Sequence, residues 1–113
     1  MESIALEAAR RGLAGVLDRT QLENTPVAVT RRGKAAVVLL PPGRYAEAAA
    51  ARGEETEPED GPHTVDDLRK ELAAILRKVQ FEGARVRLHR HGAPAAVVVS
   101  VTWFEHTEPP ATA

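Results

Sequence analysis

The sequence predicts an α+β fold made of two tandem strand–helix–hairpin–helix modules that form an intrachain pseudo-dimer. Three observations predict it. The chain repeats itself without a gap at an offset of 59 residues. Each copy carries one apolar stripe at helical period. Each copy then shows two short apolar runs separated by a glycine-bearing turn.

The repeat is read by sliding Ile4–Glu47 onto His63–His106. Arg10 then meets Arg69, Leu13 meets Leu72, Ala14 meets Ala73 and Leu17 meets Leu76. Gln21 meets Gln80, Glu23 meets Glu82 and Val27 meets Val86. Arg31 meets Arg90, Gly33 meets Gly92, Ala36 meets Ala95 and Val38 meets Val97. These are 11 identities in 44 positions, with related pairs such as Val16/Ile75 and Tyr45/Phe104 besides. Fixed-period self-similarity is the mark of a repeated structural unit.

Residues 3–5 form a short strand, and His63 and Thr64 hold the equivalent place in the second copy. The helix is clearest in the second copy. Val65, Leu68, Leu72, Ile75, Leu76 and Val79 lie on one face at a period near 3.6. Thr64 caps it, and Asp66 and Asp67 sit in the first turn against the positive dipole end. Leu6, Ala9, Leu13, Val16 and Leu17 trace the same stripe in the first copy. There Gly12 and Gly15 weaken the helix by roughly 1 kcal/mol each relative to Ala.

A hairpin follows. Val27 and Val29 alternate with other positions, Arg31-Arg32-Gly33-Lys34 turns the chain, and Ala36–Leu40 returns it. The counterparts are Val86 and Leu88, then Arg90-His91-Gly92-Ala93, then Ala95–Val99. Gly33 and Gly92 suit the positive φ of a tight hairpin. The returning strands are apolar on successive positions, so both of their faces are expected to be covered. Each copy ends in a short helix, opened by Pro41-Pro42 in the first and capped by Ser100 in the second. The expected organisation is residues 1–52 for the first repeat, 53–62 for an acidic Glu/Pro/Gly linker, 63–106 for the second repeat and 107–113 for a frayed tail. A module of about 45 residues buries little surface alone, so the two are expected to share one core.

Composition narrows the function classes. There is no cysteine, which removes disulfides and thiolate metal sites. The start, Met1-Glu2-Ser3-Ile4-Ala5, shows no signal peptide, and no apolar run nears the roughly 20 residues of a membrane span. A cytoplasmic protein with no membrane association is expected. Net charge is −1, but Glu54, Glu55, Glu57, Glu59 and Asp60 concentrate five acids in the linker. The rest holds 15 basic against 11 acidic residues. That balance allows phosphate binding without requiring it.

Arg10 and Arg69 lie at the edge of the two apolar stripes, and Arg31 and Arg90 at the two hairpin bends. An arginine on that stripe edge can simply lay its stem over the core. Four guanidinium groups repeated two-fold also suit phosphate oxygens and guanine edges. Arg32, Lys34, Arg87 and His91 thicken the patch. His89 and His91 have a spacing that can serve a metal, but no third ligand is evident, so no metal or other cofactor is expected. The hydroxyls of Ser3, Thr20, Thr25 and Thr30 stand in no nucleophile motif and the glycines occur singly, so the chain reads as non-enzymatic.

The first copy runs Ser3-Ile4, Arg10, Leu13, Leu17, then Val27, Val29-Thr30-Arg31-Arg32-Gly33-Lys34, Ala36-Val37-Val38, then Tyr45. The second keeps Arg69, Leu72, Leu76, Arg90, Gly92, the run Ala93-Pro94-Ala95-Ala96-Val97-Val98-Val99-Ser100, and Phe104. Each resembles the N-terminal DNA-binding region of the Phd/YefM (prevent-host-death) antitoxins. The resemblance implies a Phd/YefM-like α+β fold and a bacterial transcriptional repressor of a toxin–antitoxin operon. It implies operator DNA with a short pseudo-palindromic site as one partner and a ribonuclease-like or Fic-like toxin as another. The family's operator-contacting arginines match Arg10 and Arg31, and Arg69 and Arg90. Members pair two identical chains, whereas here one chain holds both halves. A homodimer of this pseudo-dimeric chain is also compatible. Members carry a toxin-binding C-terminal segment as well, while nine residues follow Phe104, without an amphipathic pattern. The alternative function is a protein-binding antitoxin or scaffold that binds a toxin and has little DNA binding.

Overall fold

A computed structural model of the chain describes residues 2–53 and 60–107. The first strand, β1 (Glu2–Ala5), runs directly into α1 (Leu6–Arg11) and α2 (Leu13–Glu23). A hairpin follows, β2 (Val27–Arg31) and β3 (Lys34–Leu40), then α3 (Pro42–Ala51). The same order of elements recurs as β4 (Asp60–Thr64), α4 (Val65–Lys70), α5 (Leu72–Glu82), β5 (Val86–Arg90), β6 (Ala93–Ser100) and α6 (Val101–Thr107). The strand β4 therefore starts inside the stretch read as linker. The rest of that stretch after Gly53, residues 54–59, and the tail from 108 onward lie outside the described residues.

Each long apolar stripe folds as two helices rather than one. The break falls at Gly12 (φ −123°, ψ 37°) and at Glu71 (φ −112°, ψ 23°), positions 59 apart. The hydrogen-bond ladder crosses both breaks. Gly12 N–H donates to the Ala8 carbonyl at 2.9 Å, and Val16 N–H donates to the Gly12 carbonyl at 3.1 Å. Glu71 N–H donates to the Asp67 carbonyl and Ile75 N–H to the Glu71 carbonyl, both at 2.9 Å. Since glutamate bends the chain as glycine does, glycine is not the cause. Periodicity reports only the angle of each side chain, so a bend of one residue that keeps the stripe in place leaves no trace in it.

Caps fall where side-chain chemistry puts them. Thr64 Oγ1 accepts from Asp67 N–H at 3.0 Å, and Asp67 Oδ2 accepts from Thr64 N–H at 3.1 Å, a reciprocal capping box. Those bonds, the Thr64 backbone N–H first and its side chain second, hold the Asp67 carboxyl below the ordinary aspartate range. Ser100 Oγ accepts from Trp103 N–H at 3.0 Å. Pro42 occupies the first turn of α3, where no N–H is needed.

Both hairpins close with two residues at positive φ: Arg32 (54°) and Gly33 (79°), and His91 (54°) and Gly92 (77°). Two successive left-handed residues define the turn whose twist suits paired strands. Each hairpin also carries a register shift at the matching place, between Val29 and Thr30 and between Leu88 and His89.

The six strands form one sheet in the order β1-β2-β3-β6-β5-β4. The edge strands run parallel to their neighbours, β1 to β2 and β4 to β5. At the centre β3 and β6 pair antiparallel, with Val38 opposite Val99 and Leu39 opposite Val98. These two strands are apolar on both faces because both faces are covered. Val37 and Leu39, with Ala96 and Val98, join Leu13, Leu17, Leu72, Ile75, Leu76 and Val79 in one core under α1, α2, α4 and α5. Val38 and Leu40, with Val97 and Val99, pack on the other face against Tyr45 and Ala49 of α3, with Trp103 and Phe104 of α6 alongside. The Tyr45 and Trp103 rings stack at 5.3 Å. Both cores draw side chains from both halves of the chain, as a shared interior requires. Among the described residues no helix is long and apolar enough to cross a membrane.

Candidate nucleic-acid interface

The central pair sets where the hairpin ends lie. Gly33 precedes Val38 by five residues, Gly92 precedes Val99 by seven, and Val38 and Val99 are partners on antiparallel strands. The two turns therefore point in opposite directions along the sheet, twelve residues apart in strand register, about 40 Å before twist shortens the path. The longest extent of the molecule is 36 Å.

At the first hairpin the turn brings several cations together. Arg31 ends β2, Arg32 is the first turn residue and Lys34 opens β3, all exposed. Arg10 of α1 joins Arg31 and Arg32 around one surface groove, with Glu7 on its rim. The Arg10 guanidinium stands 4.0 Å from the Glu7 carboxylate. A second groove on the other flank is lined by Arg31, Arg32, Lys34, Gln80 and Phe81. Among the described residues Arg31, Arg32 and Lys34 meet no carboxylate.

The second hairpin has a different character. Arg90 ends β5 and its guanidinium makes an ion pair with Asp18 of α2, which belongs to the other half of the chain. Arg90 is accordingly only 28 % exposed. Arg69 of α4 is held at 3.3 Å by Asp66, one turn earlier. His91 lines a groove with His63, Asp66, His89 and Arg90. Among the described residues no group of three or more His, Cys, Asp or Glu gathers as a metal site would need.

Six of the eight residues singled out in the sequence thus fall at the two hairpin ends: Arg10, Arg31, Arg32 and Lys34 at one, Arg90 and His91 at the other, while Arg69 is linked to the second only through Asp66, which lines its groove. Arg87 does not join them. It stands between Val86 and Leu88, whose side chains enter the core under the helices. Alternation along β5 sends Arg87 to the opposite face of the sheet, beside its partner Val97, where it is half-buried.

Three residues of these surfaces escape a reading by charge and motif. Asp18 restrains Arg90, and its signal was a charge reversal in the repeat, since the matching residue is Arg77. Among the described residues Leu22 and Phe81 are the exposed large apolar side chains, at 86 % and 76 %. They too are matching positions, both off the buried stripe near the ends of α2 and α5.

Residues 62–111 match the family model of the antitoxin Phd_YefM, type II toxin-antitoxin system. That stretch is similar to a Phd/YefM antitoxin domain, which supports the resemblance read from the motifs of the second copy. No curated protein and no solved structure matches the chain.

Proposed function

We propose that the chain is an antitoxin-type repressor that binds a short pseudo-palindromic operator as an internally duplicated pseudo-dimer. The observation that carries this reading is the pair of arginine-bearing hairpins directed oppositely from one central strand pair. Paired DNA readers engage half-sites about one helical turn, roughly 34 Å, apart. The length of this molecule, 36 Å, suits that spacing. Guanidinium groups bind phosphate oxygens and the guanine edge in the major groove. The recurrence of the same six-element order in two halves, with bends, turns and bulges at matching positions, supports duplication. In this reading residues 1–52 and 63–106 are the two repeats, the protein is non-enzymatic, and it works in the cytoplasm.

The test is affinity for the DNA upstream of its own gene, measured against salt. Each neutralised phosphate steepens the log–log dependence by about 0.9 on duplex DNA. Arg31→Ala combined with Arg90→Ala is expected to weaken binding without lowering the thermal midpoint. A flat salt response would refute the reading. The similarity to an antitoxin domain also supports a toxin partner. Co-purification of this chain with the product of an adjacent gene tests that part, and free migration of the two would count against it.

A further inference from the structure

The two hairpin ends carry the same backbone but not the same charge. At the first, the one acid beside Arg10, Arg31, Arg32 and Lys34 among the described residues is Glu7. At the second, Lys34 is replaced by Ala93 and Arg32 by His91, while Asp66 holds Arg69 and Asp18 holds Arg90. The decisive difference lies on the helices. Asp18 on α2 reaches across to Arg90 of the second hairpin. The position on α5 that matches Asp18 is Arg77, a charge of the opposite sign.

We infer that the chain grips DNA unequally, with the first hairpin end as the dominant half-site reader and Asp18 acting as an intramolecular competitor for the phosphate that Arg90 would otherwise take. This rests on the DNA-binding reading above and adds to it a polarity that two identical subunits cannot have. An arginine already paired with a carboxylate must exchange that partner for a phosphate oxygen, and the exchange leaves an unpaired aspartate beside the polyanion. Like charges so placed oppose binding. At the first end Arg31 and Arg32 are solvated and, among the described residues, unpaired by acid, and docking releases counterions without that opposition. The operator is therefore expected to have one well-specified half-site and one degenerate one.

The experiment uses a fluorescein-labelled duplex of about 30 base pairs and mixed sequence, with anisotropy recorded from about 50 to about 200 mM salt, where each phosphate contact changes affinity about 3.5-fold. Arg31→Ala with Arg32→Ala is expected to reduce the salt slope by about 1.8, and Arg90→Ala with His91→Ala by less than about 0.9. Asp18→Asn is the sharper probe. It frees Arg90, so binding is expected to tighten and the slope to steepen by about 0.9, and adding Arg90→Ala should cancel the gain. Circular dichroism confirms that each variant is folded. Equal losses at the two hairpins, or no gain from Asp18→Asn, overturn the unequal grip while DNA binding itself stands. No binding by the unaltered chain, to this duplex or to its own upstream DNA, removes both.

Discussion

Leu17→Ala tests whether the interior is shared. Leu17 is fully buried on α2 and belongs to a core whose other members include Leu72, Ile75, Leu76 and Val79 of the opposite half. Truncating a buried leucine removes the transfer free energy of its methyl groups and leaves a void, at a cost of about 3 kcal/mol. That is a large share of the 5–15 kcal/mol that holds a typical domain together. For a chain of this size the midpoint should drop by roughly 12 °C or more. The assay uses the single tryptophan. Trp103 lies on α6, on the far face of the sheet and in the other half of the chain, stacked on Tyr45. Its fluorescence therefore reports on a region that Leu17 does not touch. If the cores are cooperative, Trp103 fluorescence and far-ultraviolet circular dichroism melt together in both proteins, and both move by the same amount in Leu17→Ala. A tryptophan transition that stays in place while part of the dichroism shifts downward would refute the argument, because the halves would then be unfolding separately.

The remaining expectations concern local chemistry. Thr64→Ala removes the hydroxyl half of the capping box and is expected to cost about 1 kcal/mol, read as a lower denaturant midpoint at constant slope. Asp67 is held below its ordinary value of 3.8, so its contribution to stability is complete above that value and fades as pH falls through the lowered one. Asp67→Asn should therefore flatten the acid limb of the stability profile and leave its shape at higher pH unchanged. Gly15→Ala, inside α2 where an added Cβ meets nothing within 4 Å, is expected to raise stability by about 0.8 kcal/mol. Gly33→Ala is equally free of clashes but sits at φ +79°, and thermal melts should show a loss of about 1 kcal/mol.

Much of this architecture is legible in local sequence signals. The apolar stripes, the Thr64 and Ser100 caps and the Gly33 and Gly92 turns are local signals; the caps and turns fall where they point, while each stripe is divided into two helices. The pairing of β3 with β6 was not legible as a register, because nothing in Ala36–Leu40 or Ala95–Val99 names its neighbour. What could be read was that both faces of those strands needed cover, and two cores supply it. The candidate site was legible as a set of cations and less so as an arrangement. Arg87 was grouped by charge although the alternation of Val86 and Leu88 already assigns it the other face. The Asp18–Arg90 pair joins residues 72 apart and depends on α2 lying against the second hairpin, which no local pattern encodes.

The seam between β3 and β6 has a further consequence. In an assembly of two identical chains, each codon change is expressed at both ends of the assembly at once, and lowering the concentration pulls the halves apart. Here both strands of the seam belong to one polypeptide. Dilution does not part them, and each end can drift by mutation independently of its opposite. A carboxylate at position 18 with a guanidinium at position 77 is a difference that only such an arrangement can inherit.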